Sequence, residues 1–262
     1  MSHTYPCRQE WYALKQQQRR LWLIPAAIVL AVICLLTALH LRKERPVLTC
    51  GSYAMTNTQL GYYYWSEFFY YADAYGSWLG DAVDWTLPLD RQPYDAESSW
   101  QDYLLEETLA AATDTLSLVF RAQEEGFTLS DAQEADFDAT WNKLLADSGG
   151  DPQAYLRRSY GRRADTETYR QYLYDAHVAA AYADHLYETI RLTEADIRAY
   201  AQQHGGEYLD AGLEEAQWQE QAAADLLAET YENRIRAICN SYTFLVDYDA
   251  IVITPPGDLY QA

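Results

Sequence analysis

The chain has 262 residues and a formal net charge of −20, and it contains 24 Tyr, 8 Trp and only 2 Met. Residues 1–49 hold seven Lys/Arg and two Glu, a net charge of +5, which leaves −25 for residues 50–262. So acidic a surface repels nucleic acid and anionic lipid headgroups, which argues against DNA or RNA binding. Solubility alone accounts for the acidity, and attraction of basic polypeptides or of calcium is the alternative.

An apolar run near the N-terminus predicts a membrane anchor. Leu21–Leu41 contains no charged residue and is long enough to cross a bilayer of ~30 Å as a helix. It is longer than the apolar region of a signal peptide and is followed by charges instead of a small-residue cleavage site, so we expect no cleavage. Basic residues are slightly more numerous before the run than after it, which favours a cytoplasmic N-terminus.

These observations predict a single-pass protein of the cell membrane with four parts. They are a cytoplasmic tail (1–20), a transmembrane helix (21–41), a juxtamembrane linker (42–51) and an extracytoplasmic domain (52–262). Of the four cysteines, only Cys50 and Cys239 share the extracytoplasmic part, where one disulfide between them is possible.

The extracytoplasmic domain begins with a short extended lead-in from Pro46 to Met55 and then an aromatic helix. Thr56 and Gln59 have the spacing of a capping box, which predicts that the helix starts there, and it ends near Gly76. Eight of the ten residues from 62 to 71 are aromatic. One stripe of this helix is predicted to face the core: Leu60, Tyr64, Phe68, Tyr71 and Tyr75.

The same helix carries aromatic residues that a single core-facing stripe does not require. Tyr62, Trp65 and Phe69 fall nearly opposite the stripe, and Tyr63 and Tyr70 fall on a third side. A helix that is apolar all round must be covered on most sides or must keep one side for a partner. These five residues are therefore candidates for client binding. The alternative is that the segment 76–98 and the terminal strand cover them as core.

Helical periodicity and capping signals predict six further helices after an irregular segment from Gly76 to Ser98, which we expect to fold back on the domain. The helices run over residues 98–126, 130–148, 151–161, 165–190, 193–204 and 213–240. The glycine pairs 149–150 and 205–206 are interpreted as helix stops. Residues 242–256 predict a strand, whose one candidate partner is the lead-in near Val47–Ala54. The expected fold is mainly α with a small terminal β-ribbon.

Motifs of catalysis and metal binding are missing from the sequence. It contains no G-x-S-x-G, H-E-x-x-H or phosphate-binding glycine loop. His177, Asp184 and His185 have spacings of seven and eight residues, which suit one metal poorly, so the histidines are interpreted as structural. We therefore predict no enzyme, no metal and no cofactor.

One dense basic cluster stands out in the acidic domain. Its members are Arg157, Arg158, Arg162 and Arg163. Pairing with the surrounding acidic side chains is the expected arrangement. The alternative is a docking site for an acidic partner.

Four phrases follow one another in an order that resembles the N-terminal chaperone region of extracytoplasmic foldases of the SurA and PrsA type. They are TNTQL (56–60), EEGFTLSDAQ (124–133), DPQAYLRRSYG (151–161) and LTEADIRAYAQQH (192–204), and together they span roughly Ser52 to Gly206. In that family a parvulin-type prolyl isomerase domain usually follows the last phrase, but here only residues 205–212 separate it from the final helix. A membrane helix also replaces the family's lipidated cysteine.

The resemblance implies a SurA N-terminal-like helical chaperone domain that holds unfolded polypeptides outside the membrane without isomerising prolines. The expected partners are unfolded or extended polypeptides and, through Leu21–Leu41, the membrane, with no nucleic acid. Two other functions remain open from the sequence. One is a peptidyl-prolyl isomerase of the same family, and the other is a non-catalytic interaction subunit of an envelope complex.

Overall fold

The computed structural model describes residues 45–257 and Leu259. The predicted cytoplasmic tail (1–20), the predicted transmembrane helix (21–41) and residues 42–44 lie outside the described residues. Among the helices of residues 45–257, none combines the length and the apolar composition needed to cross a membrane. The chain from Pro46 onward forms one compact unit.

Seven α-helices and three short strands make up most of the described chain, which confirms the mainly α architecture with a small β element. The helices are α1 (Asn57–Leu79), α2 (Trp100–Glu124), α3 (Asp131–Asp147), α4 (Pro152–Tyr160), α5 (Thr166–Glu188), α6 (Glu194–Asp210) and α7 (Trp218–Cys239). The strands are β1 (Leu48–Cys50), β2 (Tyr53–Met55) and β3 (Leu245–Val246).

Side-chain caps define where several helices begin. At α1 and α3 the predicted capping boxes form: Thr56 and Ser130 accept a backbone N–H, and the glutamine three residues later accepts one in return. α2 and α6 start with the same motif, with Asp in place of Gln. Asp151 accepts the Ala154 N–H over 2.9 Å and precedes Pro152, so α4 also starts as predicted.

The sheet joins the two ends of the described unit, as the sequence predicted. β1 lies between β2 and β3, both antiparallel to it, and Leu48 is opposite Met55 on one side and Val246 on the other. β3 is much shorter than the predicted strand over residues 242–256. Beyond Val246 the chain makes a 3₁₀ turn and an extended stretch, because Asn57 of α1 binds both the Ala250 carbonyl and the Val252 N–H in place of a neighbouring strand. Cys50 and Cys239 are free thiols.

Three core clusters meet on the first half of α1, which packs against α2, α4 and α5. Leu60 and Tyr63 join the sheet and α2, whereas Tyr62 enters a third cluster with α4 and α5. The second cluster brings α1 together with the segment 76–98 and the start of α2. Its buried members are Tyr64, Trp65, Phe68, Val83, Leu89, Trp100 and Leu104. The segment after α1 thus folds back on the domain, as expected.

The prediction that Gly205 and Gly206 end a helix was wrong, because α6 continues through both to Asp210. α6 packs on α7, and Gly205 lies at their contact. A Cβ at Gly205 would be 2.7 Å from Cζ3 of Trp218, whereas a Cβ at Gly206 would meet nothing within 4 Å. Gly205 therefore permits close helix packing instead of a turn.

Candidate polypeptide-binding surface

The environment of α1 changes along its axis. In the first half, aromatic rings on every side are enclosed, and Trp65 is only 2 % exposed. From residue 69 onward the rings reach the surface: Phe69 is 40 %, Tyr70 56 % and Trp78 81 % exposed. The helix thus begins as core and ends as surface.

Three of the five predicted client-binding residues are occupied by contacts within the chain. The Tyr62 hydroxyl donates to the Asp165 carbonyl over 2.9 Å and accepts the Asp165 N–H over 2.8 Å. The Trp65 indole N–H donates to the Thr254 carbonyl over 3.0 Å. The Tyr63 ring packs edge-on against Tyr172, with centroids 4.8 Å apart. Burial raises the pKa of both the Tyr62 and the Tyr63 hydroxyl well above its ordinary value.

The fourth predicted residue, Phe69, lines an open groove of about 340 Å³ between α1, α3, α4 and α5. The apolar and aromatic residues that line it with Phe69 are Leu144, Tyr155, Tyr160, Tyr169 and Leu173. The hydroxyls of Tyr160 and Tyr169 lie 3.3 Å apart, and Lys143 forms an ion pair with Asp147 beside them. Walls of this kind accept apolar side chains with little discrimination of sequence.

The fifth predicted residue, Tyr70, belongs to a chain of tyrosine rings that runs from α1 to α2. The Tyr70 and Tyr75 centroids are 5.9 Å apart, and Tyr75 contacts Tyr71 at 5.3 Å. Tyr71 in turn meets Tyr103, on which Tyr94 stacks at 4.3 Å. Mutual packing restrains these rings, so exposed aromatic area is presented at a low entropic cost.

We define the aromatic surface as Phe69, Tyr70, Tyr75, Trp78 and Tyr94, all of which are exposed. Three of these residues were not predicted as surface, because Tyr75 falls in the predicted core stripe, and Trp78 and Tyr94 fall in the segment expected to fold back on the domain. The sequence of α1 carries no signal that separates its two halves, because polar residues are at least as frequent in the first half as in the second.

Carboxylates lie next to the aromatic surface. The Tyr71 hydroxyl donates to Oε2 of Glu107 over 3.4 Å. The pKa of Glu67 is raised, first by burial and second by the negative charge of Glu107. Acidic groups beside exposed rings favour ligands that combine apolar and basic residues.

The histidines do not form a metal site in the part of the chain that the structure describes, where no group of three or more His, Cys, Asp or Glu is arranged to hold an ion. Nδ1 of His177 lies 2.8 Å from the Leu173 carbonyl, and its Nε2 lies 3.7 Å from Asp136. His185 packs against Phe127 and Tyr182. The contacts of His177 and His185 are thus with aromatic rings and with groups of neighbouring helices.

The expectation that the arginine cluster pairs with nearby acids was wrong for the described residues. Neither Arg157, Arg158, Arg162 nor Arg163 has an ion pair with any carboxylate described. The closest acids in sequence are engaged elsewhere: Asp151 caps α4 and Asp165 caps α5. Among residues 45–257, these four guanidinium groups thus have no anionic partner.

No protein-family model, curated protein or solved structure matches this chain. The four phrases that resemble SurA and PrsA lie mostly at helix ends, including the starts of α1, α3, α4 and α6. Capping chemistry alone favours such residues at these positions. The family relationship stays a prediction from sequence.

Proposed function

We propose that the protein is a membrane-anchored extracytoplasmic chaperone that holds unfolded polypeptides without isomerising them. One observation supports this proposal above the others. α1 buries its rings in its first half and exposes Phe69, Tyr70 and Trp78 in its second half. Apolar area of this kind carries an aggregation risk and is typical of surfaces that contact a partner.

The chemistry of the surface suits an unfolded client better than a defined small molecule. Aromatic faces make contacts with many side chains, and the groove at Phe69 has room for about one large apolar side chain of an extended segment. The net charge of −25 on residues 50–262 keeps a loaded complex soluble and attracts segments that carry lysine or arginine.

The proposal is tested by aggregation of a reduced model client in the presence of the full chain reconstituted in nanodiscs, with empty nanodiscs as the blank. We expect suppression at a near-stoichiometric ratio. The triple variant Phe69→Ala, Tyr70→Ala, Trp78→Ala should lose it. The matched control removes three exposed apolar side chains from other parts of the chain: Tyr187→Ala, Leu209→Ala, Tyr248→Ala. Absent suppression by the wild type, or equal loss in both triple variants, would contradict the proposal.

Two further measurements separate this function from its alternatives. A photo-crosslinker in place of Trp78, used in cells, should capture many different unfolded chains. Capture of one dominant folded partner would instead indicate an interaction subunit. In a proline-limited refolding assay we expect no acceleration above background, and acceleration would indicate a prolyl isomerase.

A further inference from the structure

An open cleft of about 750 Å³ lies between the C-terminal end of α4 and the extended segment Ile253–Gly257. Arg157 and Arg158 come from the last turn of α4, and Arg162 follows the helix. All three are exposed. The opposite wall is formed by Ile253, Thr254, Pro255, Pro256 and Gly257. The cleft thus has a cationic side and a mainly apolar side.

Contacts behind the cleft fix its two walls at this separation. Gly161, which ends α4, has φ +90°, and a Cβ there would lie 2.8 Å from the Thr254 carbonyl oxygen. The same oxygen accepts the Trp65 indole N–H. The backbone of the apolar wall is therefore held from the protein side.

The cationic side of the cleft contains more arginines than the helix dipole of α4 explains. Arginine in a last turn is favoured by the helix dipole, which accounts for Arg157 and Arg158. Arg162 lies beyond the end of α4, so the dipole gives no reason for it.

The arginine cluster lacks ion pairs among the described residues although the protein is rich in carboxylates. Residues 50–262 contain 37 Asp and Glu but only 12 Lys and Arg, and four of those twelve occupy positions 157–163. None of these four guanidinium groups has an ion pair with a described carboxylate. Within residues 45–257, therefore, no carboxylate pairs with the cationic side of the cleft.

We propose that this cleft binds a phosphate group, carried either by a small soluble anion or by a lipid headgroup. A phosphate offers three oxygens and nearly two negative charges to several guanidinium forks at once, whereas one carboxylate satisfies a single fork. Where the phosphate group belongs to a lipid or another organic ester, the apolar wall at Ile253, Pro255 and Pro256 packs against the uncharged part of the ligand. The acidic remainder of the domain repels extended polyanions, so the ligand is compact. This inference is independent of the chaperone proposal.

The test uses the full chain in nanodiscs of uncharged lipid and calorimetric titration at constant ionic strength. Inorganic pyrophosphate represents the soluble source, and a short-chain phosphatidic acid below its micellar concentration represents the lipid source. We expect saturable binding of at least one. Tighter binding of phosphatidic acid assigns the lipid source, and equal or tighter binding of pyrophosphate assigns the soluble one.

The variant Arg157→Gln, Arg162→Gln should weaken the apparent Kd by at least ~10-fold, because two charge-assisted contacts are lost. The control Arg198→Gln, Arg236→Gln removes the same charge from exposed positions on α6 and α7 and should change the Kd less than ~2-fold. Circular dichroism checks that both variants fold, and Arg158→Gln alone provides a second, milder variant.

Three outcomes would overturn the inference. The first is the absence of saturable binding to either phosphate probe. The second is an equal loss of affinity in the cleft variant and the control variant, which would indicate non-specific charge attraction. The third is tighter binding of a hexaglutamate peptide than of both phosphate probes, which would assign the cleft to an acidic polypeptide.

Discussion

The indole N–H of Trp65 donates a 3.0 Å hydrogen bond to the carbonyl oxygen of Thr254, 189 residues further along the chain. This bond fastens the last extended segment across the middle of α1. The same oxygen lies against Gly161, so one peptide group closes the aromatic core on one side and forms the arginine cleft on the other. Core packing and the proposed phosphate site therefore depend on the same contact.

Two tryptophans of α1 should respond very differently to replacement by alanine. Trp65→Ala removes a buried ring and leaves the Thr254 carbonyl without its donor, so we expect a loss of about 3–5 kcal/mol in the free energy of unfolding. Trp78→Ala removes an exposed ring and should change that free energy by less than about 0.5 kcal/mol. Urea denaturation followed by circular dichroism measures both. Similar losses in the two variants would contradict the division of α1 into core and surface.

Replacement of the two adjacent glycines of α6 by alanine should change the stability of the protein in opposite directions. In Gly205→Ala the new methyl group meets the rigid Trp218 ring, so we expect a destabilisation of about 1–3 kcal/mol. In Gly206→Ala the new methyl group points into open space within a helix, so we expect a stabilisation of about 0.5–1 kcal/mol. Thermal unfolding compares the two Tm values. A Tm change of the same sign in both would rule out the proposed packing role of Gly205.

Asn57 should control the order of the segment after β3. Its side chain donates to the Ala250 carbonyl over 2.8 Å and accepts the Val252 N–H over 2.7 Å. Asn57→Ala leaves both backbone groups without this partner, which costs about 1–3 kcal/mol for the buried Ala250 carbonyl. Hydrogen exchange should show faster exchange of the Val252 amide, with little change in the exposed-site control Asn142→Ala. Unchanged protection at Val252 would show that another group holds the segment.

Alkaline pH should unfold the protein through its buried tyrosines. Burial raises the pKa of Tyr53 and of Tyr172 from 10.0 to about 12, and that of Tyr63 further. Because the folded-state pKa values exceed the unfolded ones, this contribution to stability is complete below pH 10 and falls as pH rises through the folded values. Tyrosinate absorbance should therefore increase cooperatively with loss of the near-ultraviolet circular dichroism.

The variant Tyr63→Phe provides the check, since it removes a hydroxyl whose ionisation requires unfolding. We expect its alkaline midpoint to lie above that of the wild type. A lower or equal midpoint would show that ionisation of Tyr63 does not drive the transition.

Local chemistry made the helix starts predictable from sequence. Thr56, Ser130 and Asp151 identify helix starts through hydrogen bonds within four residues, which need no knowledge of the fold. The pairing of β1 with β3 was predictable by elimination, because the sequence offers only two candidate strands. The first inference needs only hydrogen bonds between residues close in sequence. The second needs only one possible pairing of strands.

The parts that sequence analysis missed depend on what lies opposite a residue in space. Gly205 resembles a helix stop until Trp218 is known to pack on it. The aromatic pattern of α1 is uniform, so only the extent of the covering elements decides that Trp65 is buried and Trp78 exposed. Likewise, Asp165 is three residues from Arg162 but caps α5 instead of pairing with it.

The antiparallel pairing of β1 and β3 has a mechanical consequence. Leu48 is opposite Val246, so the chain enters β1 and leaves β3 at the same end of the sheet, where the Asp247 N–H binds the Val47 carbonyl. The segment after β3 is held by hydrogen bonds to the side chains of Asn57 and Trp65. When the two ends of this unit are pulled apart, the force therefore acts on these hydrogen bonds one after another and not on all of them together. The domain should therefore unfold at a low force when it is pulled at its two ends.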